Sequence, residues 1–241
     1  MSLTHGSLFS GIGGFEIGAA ANNISTIWNC EIDSYNRKIL KQHFPNTIQH
    51  EDIRELRHPS AVDIISGGFP CQDLSIAGRG RGITGERSGL WSEMLRIIDE
   101  GRPAYVVIEN SPELLKKGFE NVLYPLSEIG YDAEWQCLSG TTFGVQQGRE
   151  RVYCIAHTNG IGQQGERQKP IFSEPELSRQ FQGVHPGWRT RSDIPKPRAF
   201  RSLNDIPNGM ERTKAHGNAI MPIVASYLFR CIVNHYNQIT P

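Results

Sequence analysis

The cysteine of Phe69-Pro70-Cys71-Gln72 is placed for chemistry rather than for packing. The apolar run Val62-Asp63-Ile64-Ile65 reads as a strand, so Gly67-Gly68-Phe69-Pro70 is the loop that leaves it. Its glycines allow a ligand to approach closely, and Pro70 sets the backbone just before the sulfur, so the thiol is aimed out of the fold. Such a thiol is a candidate nucleophile. Glu109, in Val107-Ile108-Glu109-Asn110-Ser111-Pro112, stands at the carboxyl edge of a strand expected beside that loop, where a carboxylate can do acid work. A capping Glu-Asn pair is the plainer alternative. In Gln147-Gly148-Arg149-Glu150-Arg151 the alternating arginines point the same way if the segment is extended, and they could hold a carbonyl oxygen and a phosphate. A solvated charge run is the other reading.

A second set of residues suits a nucleoside. Phe9-Ser10-Gly11-Ile12-Gly13-Gly14-Phe15-Glu16 is a glycine turn from strand to helix, which brings backbone and helix amides close to a ligand. It departs from the dinucleotide fingerprint, because Glu16 stands where the third glycine belongs. Cys30-Glu31-Ile32-Asp33 puts acids at the tip of the next strand, where ribose hydroxyls would donate, and Asp52 falls where the third strand or turn should end. Each acid alone could be a solvated loop residue; acids at successive strand ends are what a nucleoside cofactor needs.

These residues need a scaffold that brings strand ends together. From Leu3 to about Ala156 short β-rich runs alternate with helix-like segments, the pattern of an α/β fold with a doubly wound, mostly parallel sheet. Strands are expected at Ser7-Leu8-Phe9, Ile24 to Cys30, Ala61 to Ile65, Tyr105 to Ile108, Ala133 to Leu138 and Val152 to Ala156. Helices are expected at Phe15 to Ala21, Tyr35 to His43, Leu90 to Asp99, Phe119 to Ile129 and Ile220 to Asn237, the last with an apolar stripe for docking on the sheet. Three segments follow: a catalytic and cofactor-binding α/β domain over 1–156, a short basic segment over 157–205, and a C-terminal segment and helix over 206–241 that packs back on the first.

The chain's 241 residues suffice for one substantial core, and its 25 basic and 25 acidic residues cancel, so total charge carries no argument for nucleic acid. The charge is unevenly placed. His157 to Arg201 holds eight Lys or Arg against four acids and is the electropositive face. Five cysteines without a Cys-x-x-Cys pair argue against a disulfide framework and a zinc site; apart from Cys71 they sit in apolar runs and read as buried. No stretch approaches a membrane span and no leader pattern opens the chain, so an unexported, cytoplasmic protein of a bacterial or phage-infected cell is expected, as a monomer.

The motifs Phe9-x-Gly11-x-Gly13-Gly14, Gly67-Gly68-Phe69-Pro70-Cys71-Gln72, Glu109-Asn110, Gln147-x-Arg149-x-Arg151 and Gly217-Asn218-Ala219 occur in this order. Together they resemble the ordered motifs of the cytosine-C5 DNA methyltransferases, across nearly the whole chain except its basic segment. The resemblance implies a Rossmann-like, S-adenosylmethionine-dependent fold with a small irregular basic recognition lobe. It implies Cys71 as the nucleophile that adds to cytosine C6, because C5 is itself a poor nucleophile. Glu109 would contact N3 and the exocyclic amine, Arg151 the cytosine O2, and Arg149 the loop, the base or a phosphate. No metal is implied.

For the cofactor, the resemblance places Phe9, Gly11 and Gly13 around the methionine and adenosine, Glu31 at the ribose, and Ile32 as an apolar wall. Asp52 and Ile53 would meet the adenine edge, while Pro70, Leu90 and Asn218 line the same pocket. The substrate implied is double-stranded DNA with its target base flipped out, which requires a closing loop. Gln72, Ser75, Arg79 and Arg81, with Arg189 and Arg191, are the candidate DNA contacts, the Gly78-Arg79-Gly80-Arg81-Gly82 stretch combining mobile glycines with phosphate-binding arginines.

Departures from the family pattern bear on target choice. The region between Arg151 and Gly217 is short for a recognition domain, Asn208 to Thr213 stands as a shortened substitute for the motif before Gly-Asn-Ala, His216 replaces an apolar residue, and Gly148 stands where an arginine is frequent. A small lobe reads fewer bases or relies on a protein partner. This shortened segment, with Ile206-Pro207-Asn208 and Lys214-Ala215-His216-Gly217-Asn218, is also similar to compact phage and prophage members. Trp188 is either the lobe's core aromatic or a stacking residue. Other readings keep the chemistry on RNA, make the chain a catalytically silent DNA-binding relative, or make it a nicotinamide-linked oxidoreductase, which the incomplete glycine fingerprint disfavours.

Overall fold

In the computed structural model, residues 2–70, 89–116, 118–144, 147–158, 170–172 and 219–239 are described. The strands are β1 (Thr4–Leu8), β2 (Ser25–Cys30), β3 (Ile48–His50), β4 (Ile64–Gly67), β5 (Tyr105–Asn110), β6 (Tyr131–Ser139) and β7 (Glu150–Thr158), and of these β4 and β5 are apolar runs too short for buried helices. Amphipathic segments become α1 (Gly14–Ala20), α2 (Ser34–His43), α3 (Gly89–Gly101), α4 (Glu120–Glu128) and α5 (Pro222–Ile239). The strands form one seven-stranded sheet in the order β3-β2-β1-β4-β5-β7-β6.

Strands β3, β2, β1, β4 and β5 are parallel neighbours, whereas β7 is antiparallel to both β5 and β6. The connection from β6 to β7, residues 140–149, is too short for a helical crossover, so β7 must return antiparallel. The chain steps from β1 outward to β2 and β3, then re-enters on the other side of β1 as β4. A crevice therefore opens between the carboxyl ends of β1 and β4, the position where ligands bind in such sheets.

Both faces of the sheet are buried. Leu8, Trp28, Ile65, Val106 and Ile108 pack with Met94, Ile97, Val122 and Leu126 of α3 and α4 on one face. On the other, Ile64, Tyr105, Val107 and Ile155 pack with Phe15 of α1 and Val224, Leu228, Phe229 and Ile232 of α5. Helices α1 and α5 come close because Gly14 and Gly18, one turn apart, present no Cβ: a methyl at either would overlap Ile220 or Ala225. Among the described residues no helix is long and apolar enough to cross a membrane.

Several expected boundaries move. Strand β1 spans Thr4–Leu8 rather than residues 7–9, since Phe9 turns out of it at φ 53°. The expected strand at 61–65 is found at Ile64–Gly67, and β3 is a strand that no apolar pattern announces, being short and half exposed. Helix α5 begins at Pro222, where the missing N–H costs nothing, so Ile220 lies before it while the stripe from Val224 to Ile232 is buried as expected. Cys30, Cys154 and Cys231 are buried, but Cys137 is exposed and corrects the expectation. It lies on β6, at the end of the sheet order, where residues 135–137 are exposed. The basic segment 157–205 falls almost entirely outside the described residues.

A proline explains how α3 and α4 are joined. Pro125 sits inside α4 and has no N–H to give, which frees the carbonyl of Asn121 one turn earlier. The indole Nε1 of Trp91, on α3, donates to that carbonyl at 3.0 Å. The same ring packs on Phe69 with centroids 5.2 Å apart, so the root of the cysteine loop rests on this joint. Trp91→Phe should keep the ring contact but orphan the carbonyl, lowering stability by about 1–3 kcal/mol in urea unfolding. Unchanged stability would show that solvent replaces the indole.

Candidate active site

The described residues among those singled out for chemistry gather at the carboxyl ends of β1, β2, β3, β4 and β5 and at the start of β7. Glu109, next to last in β5, is opposite Tyr153 of β7, and Arg151 lies two residues before Tyr153 on the same face of that strand. This diagonal brings the Arg151 Nε to 3.1 Å from Glu109 Oε1, with both side chains mostly buried. Gly68, just after β4, faces the same carboxylate: a Cβ there would stand 2.5 Å from Glu109 Oε2. Burial raises the Glu109 pKa above the ordinary carboxylate value, and the charges of Arg151 and Arg149 oppose the rise. A carboxyl so poised can hold a proton and donate it to a ring nitrogen, or accept from an amine.

Arg149 reaches elsewhere as well, its Nη1 donating to the Ala219 carbonyl at 3.3 Å. The Gln-x-Arg-x-Arg segment is thus tied to the start of the C-terminal segment. Asn110 donates from Nδ2 to the Phe69 carbonyl at 3.0 Å, which pins the chain directly before Pro70. Cys71, Gln72, Ser75, Arg79, Arg81, Arg189, Arg191 and Asn218 lie outside the described residues. Pro70 is exposed and Leu90 is partly buried at the first turn of α3.

The glycine turn faces this centre across the crevice. Phe9, Gly11 and Gly13 all have positive φ, at 53°, 56° and 95°. That run of left-handed residues sends the chain sharply from β1 into α1, and the open space over Gly11 is room for a ligand. Glu31 accepts from the Gly11 amide through Oε2 at 2.7 Å and from the Asp33 amide through Oε1 at 2.8 Å. Each oxygen keeps further acceptor capacity, which a pair of ribose hydroxyls could use. Ile32 beside it is 65 % exposed, a large apolar side chain at the rim that suits a flat ring. Asp52 holds Arg54 through both oxygens, and this guanidinium keeps its carboxyl below the usual range. Ile53 points into the core, so what it can offer a ligand is backbone.

The C-5 cytosine-specific DNA methylase family matches residues 3–219. The chain belongs to that family. It is 38% identical over 158 residues to the type II methyltransferase M2.BsuMI of Bacillus subtilis, a match covering 62% of this chain and 41% of that protein. It is 32% identical over 185 residues to the type II methyltransferase M.HgiCII of Herpetosiphon aurantiacus, covering 74% of this chain and again 41% of the relative. The chain thus spans less than half the length of these relatives. The crystal structure of the Spodoptera frugiperda DNMT2 superposes with a TM-score of 0.58 at 23% identity, over 73% of this chain and 56% of that one, and so shares the fold. The mixed, mostly parallel seven-stranded sheet is the Rossmann-like architecture of this methylase family.

Reading by sequence missed several residues of the centre. Trp91 supports the cysteine loop, and Arg37 and Arg96 fasten the loops after β2 and β3. Arg96 had a visible signal in Glu93-x-x-Arg96-x-x-x-Glu100, whose spacing puts all three on one helix face. Glu16 had been noted only for displacing a glycine. It is buried on α1 near Ser7 and Ser10, and among the described residues neither of its carboxylate oxygens has a hydrogen-bond partner. Burial pushes its pKa up to about 7.

Two outcomes follow from this geometry. In Gly68→Ala the new methyl must push the Glu109 carboxylate, the mobile end of a side chain, away from Arg151. On the reading of Glu109 as the acid that meets a substrate base, turnover should then fall by about 100-fold with a stability change under about 1 kcal/mol; unchanged turnover in Gly68→Ala would count against that reading. Glu16 tests linkage. Below about pH 4.5 it is protonated in both folded and unfolded states; as pH rises toward 7 the unfolded chain ionises first, so stability falls by about 3 kcal/mol. Glu16→Gln should lack that decline between pH 4.5 and 7 in denaturant titrations, and parallel pH profiles of parent and variant would contradict the buried neutral acid.

Proposed function

We propose that this chain methylates C5 of cytosine in double-stranded DNA, using S-adenosylmethionine. The observation that carries the reading is the Glu109–Arg151 pair, buried at the switch-point crevice opposite Gly68 and beside the root of the Cys71 loop. A carboxyl with a raised pKa and a guanidinium on one side of a slot form a donor–acceptor edge suited to N3, the exocyclic amine and O2 of a cytosine. Cys71, one residue beyond Pro70, supplies the thiolate that bonds to C6. Glu109 stabilises the electron pair that this addition pushes into the ring, which makes C5 nucleophilic.

S-adenosylmethionine, bound at the turn from Phe9 to Gly13 with Glu31 at its ribose and Ile32 against its adenine, supplies an electrophilic methyl. C5 would take that methyl as the thioether S-adenosylhomocysteine leaves; water in the crevice would then accept the C5 proton, whose electron pair restores the C5–C6 double bond as the C6–S bond breaks and Cys71 leaves as thiolate. Arg149 and Arg151 hold the flipped base and the Ala219 end of the C-terminal segment. Gln72, Ser75, Arg79, Arg81, Arg189 and Arg191 serve the DNA backbone and target choice, with a protein partner as a further source of selectivity. Asp52, Ile53, Pro70, Leu90 and Asn218 complete the cofactor pocket. A cytoplasmic place of action and a monomeric catalytic unit go with this reading.

Incubation with methyl-labelled S-adenosylmethionine should transfer label to cytosine C5 of duplex DNA, read by sequencing of 5-methylcytosine positions. Cys71→Ala should abolish transfer and the covalent complex with 5-fluorocytosine DNA. Trapping on 5-fluorocytosine RNA in place of DNA would overturn the substrate, and a Cys71→Ala enzyme as active as the parent would overturn the mechanism.

A further inference from the structure

The loops after β2 and β3 are each held from behind by an arginine outside them. After β2, the Arg37 Nη1 donates to the carbonyls of Ile32 at 2.6 Å and Glu31 at 3.1 Å. Its Nη2 pairs with Glu51, which follows β3, at 3.1 Å. One guanidinium therefore ties the ribose-side loop to the adenine-side loop. After β3, residues 52–56 close a single turn through the amides of Glu55 and Leu56 on the Asp52 carbonyl. The Nη2 of Arg96 caps that turn by donating to the carbonyls of Ile53 at 3.1 Å and Leu56 at 2.9 Å. Glu93 and Glu100 hold the rest of the same guanidinium on α3.

We propose that Arg37 and Arg96 are positioning residues that set the depth and separation of the two loops receiving the adenosine of S-adenosylmethionine, a proposal that rests on the cofactor reading above. Neither side chain is needed at the reacting carbon. Arg37 governs how far Ile32 stands from Glu51, and Arg96 fixes the Asp52–Leu56 turn against α3, the helix whose first turn carries Leu90. The fork geometry of the guanidinium is required, because one nitrogen of each arginine serves two carbonyls while the others hold carboxylates, Glu51 for Arg37 and both Glu93 and Glu100 for Arg96. A lysine has a single nitrogen, which cannot serve the carbonyl pair and the carboxylate from the separate positions that the guanidinium nitrogens occupy.

The test is calorimetric titration of S-adenosylhomocysteine into the full chain, paired with steady-state methylation of DNA. Arg96→Lys and Arg37→Lys should each raise the Kd for S-adenosylhomocysteine and the KM for S-adenosylmethionine by about 10-fold or more, while kcat at saturating cofactor stays within about 2-fold. The double variant Glu93→Gln, Glu100→Gln loses the ion pairs but keeps the carbonyl contacts. Its Kd should stay within about 2-fold of the parent even where thermal stability drops as far as in Arg96→Lys. Arginine variants that bind like the parent, or a double variant that loses affinity equally, would overturn the proposal. A parent chain that binds no S-adenosylhomocysteine would overturn the cofactor reading and this proposal with it; normal parental binding with unchanged arginine variants would overturn this proposal alone.

Discussion

A carboxylate kept at the end of β5, with a guanidinium 3.1 Å away and no side chain across from it at residue 68, is the constraint the rest of the centre serves. Burying a charge pair is costly unless geometry is tightly held. Strand pairing does that holding: the β5–β7 register opposes Glu109 to Tyr153, which fixes where Arg151 falls. Antiparallel β7 is therefore part of this pair's geometry, since a parallel return would aim the arginine away from Glu109. The missing Cβ at Gly68 lets the strand before the cysteine loop approach the acid, and Asn110 ties Phe69 at that distance.

On the other bank of the crevice the same economy appears in backbone terms. Three departures to positive φ at alternate residues, Phe9, Gly11 and Gly13, turn the chain so that the Gly11 amide meets Glu31 and leaves its outer side open. Helix α1 can begin there because Gly14 and Gly18 let α5 lie against it, and α5 in turn buries the sheet face below. The C-terminal helix is thus a structural wall for the glycine turn, and Ala219, just before it, meets Arg149 near the Glu109–Arg151 pair. Both banks are joined through this one segment.

Much of this was legible in the residues. Alternation of apolar runs and amphipathic segments announces an α/β sheet, because burial of both faces demands continuous apolar strands. The α3 and α5 stripes were readable for the same reason, and so was the order of the motifs. What escaped reading depends on partners far along the chain. Strand β3 has no apolar pattern and exists by pairing with β2; Cys137 sits in an apolar run yet is exposed because β6 ends the sheet; Trp91 looks like a core residue until Pro125, thirty-four positions later, frees a carbonyl for it. Arg37 and Arg96 look like helix-surface charges until the loops they cap are folded onto them.

The amino-acid sequence by itself determined the fold class, the membership in the cytosine-C5 methylase family, and which residue types stand at each strand end, since these follow from local periodicity and short motifs. Only the tertiary structure decided that Glu109 meets Arg151 rather than solvent, that Gly68 makes the room for it, and that the loops after β2 and β3 are braced by arginines from α2 and α3. Those contacts depend on strand register and helix placement, which set distances to fractions of an ångström, and no local pattern of residues encodes a distance of that kind.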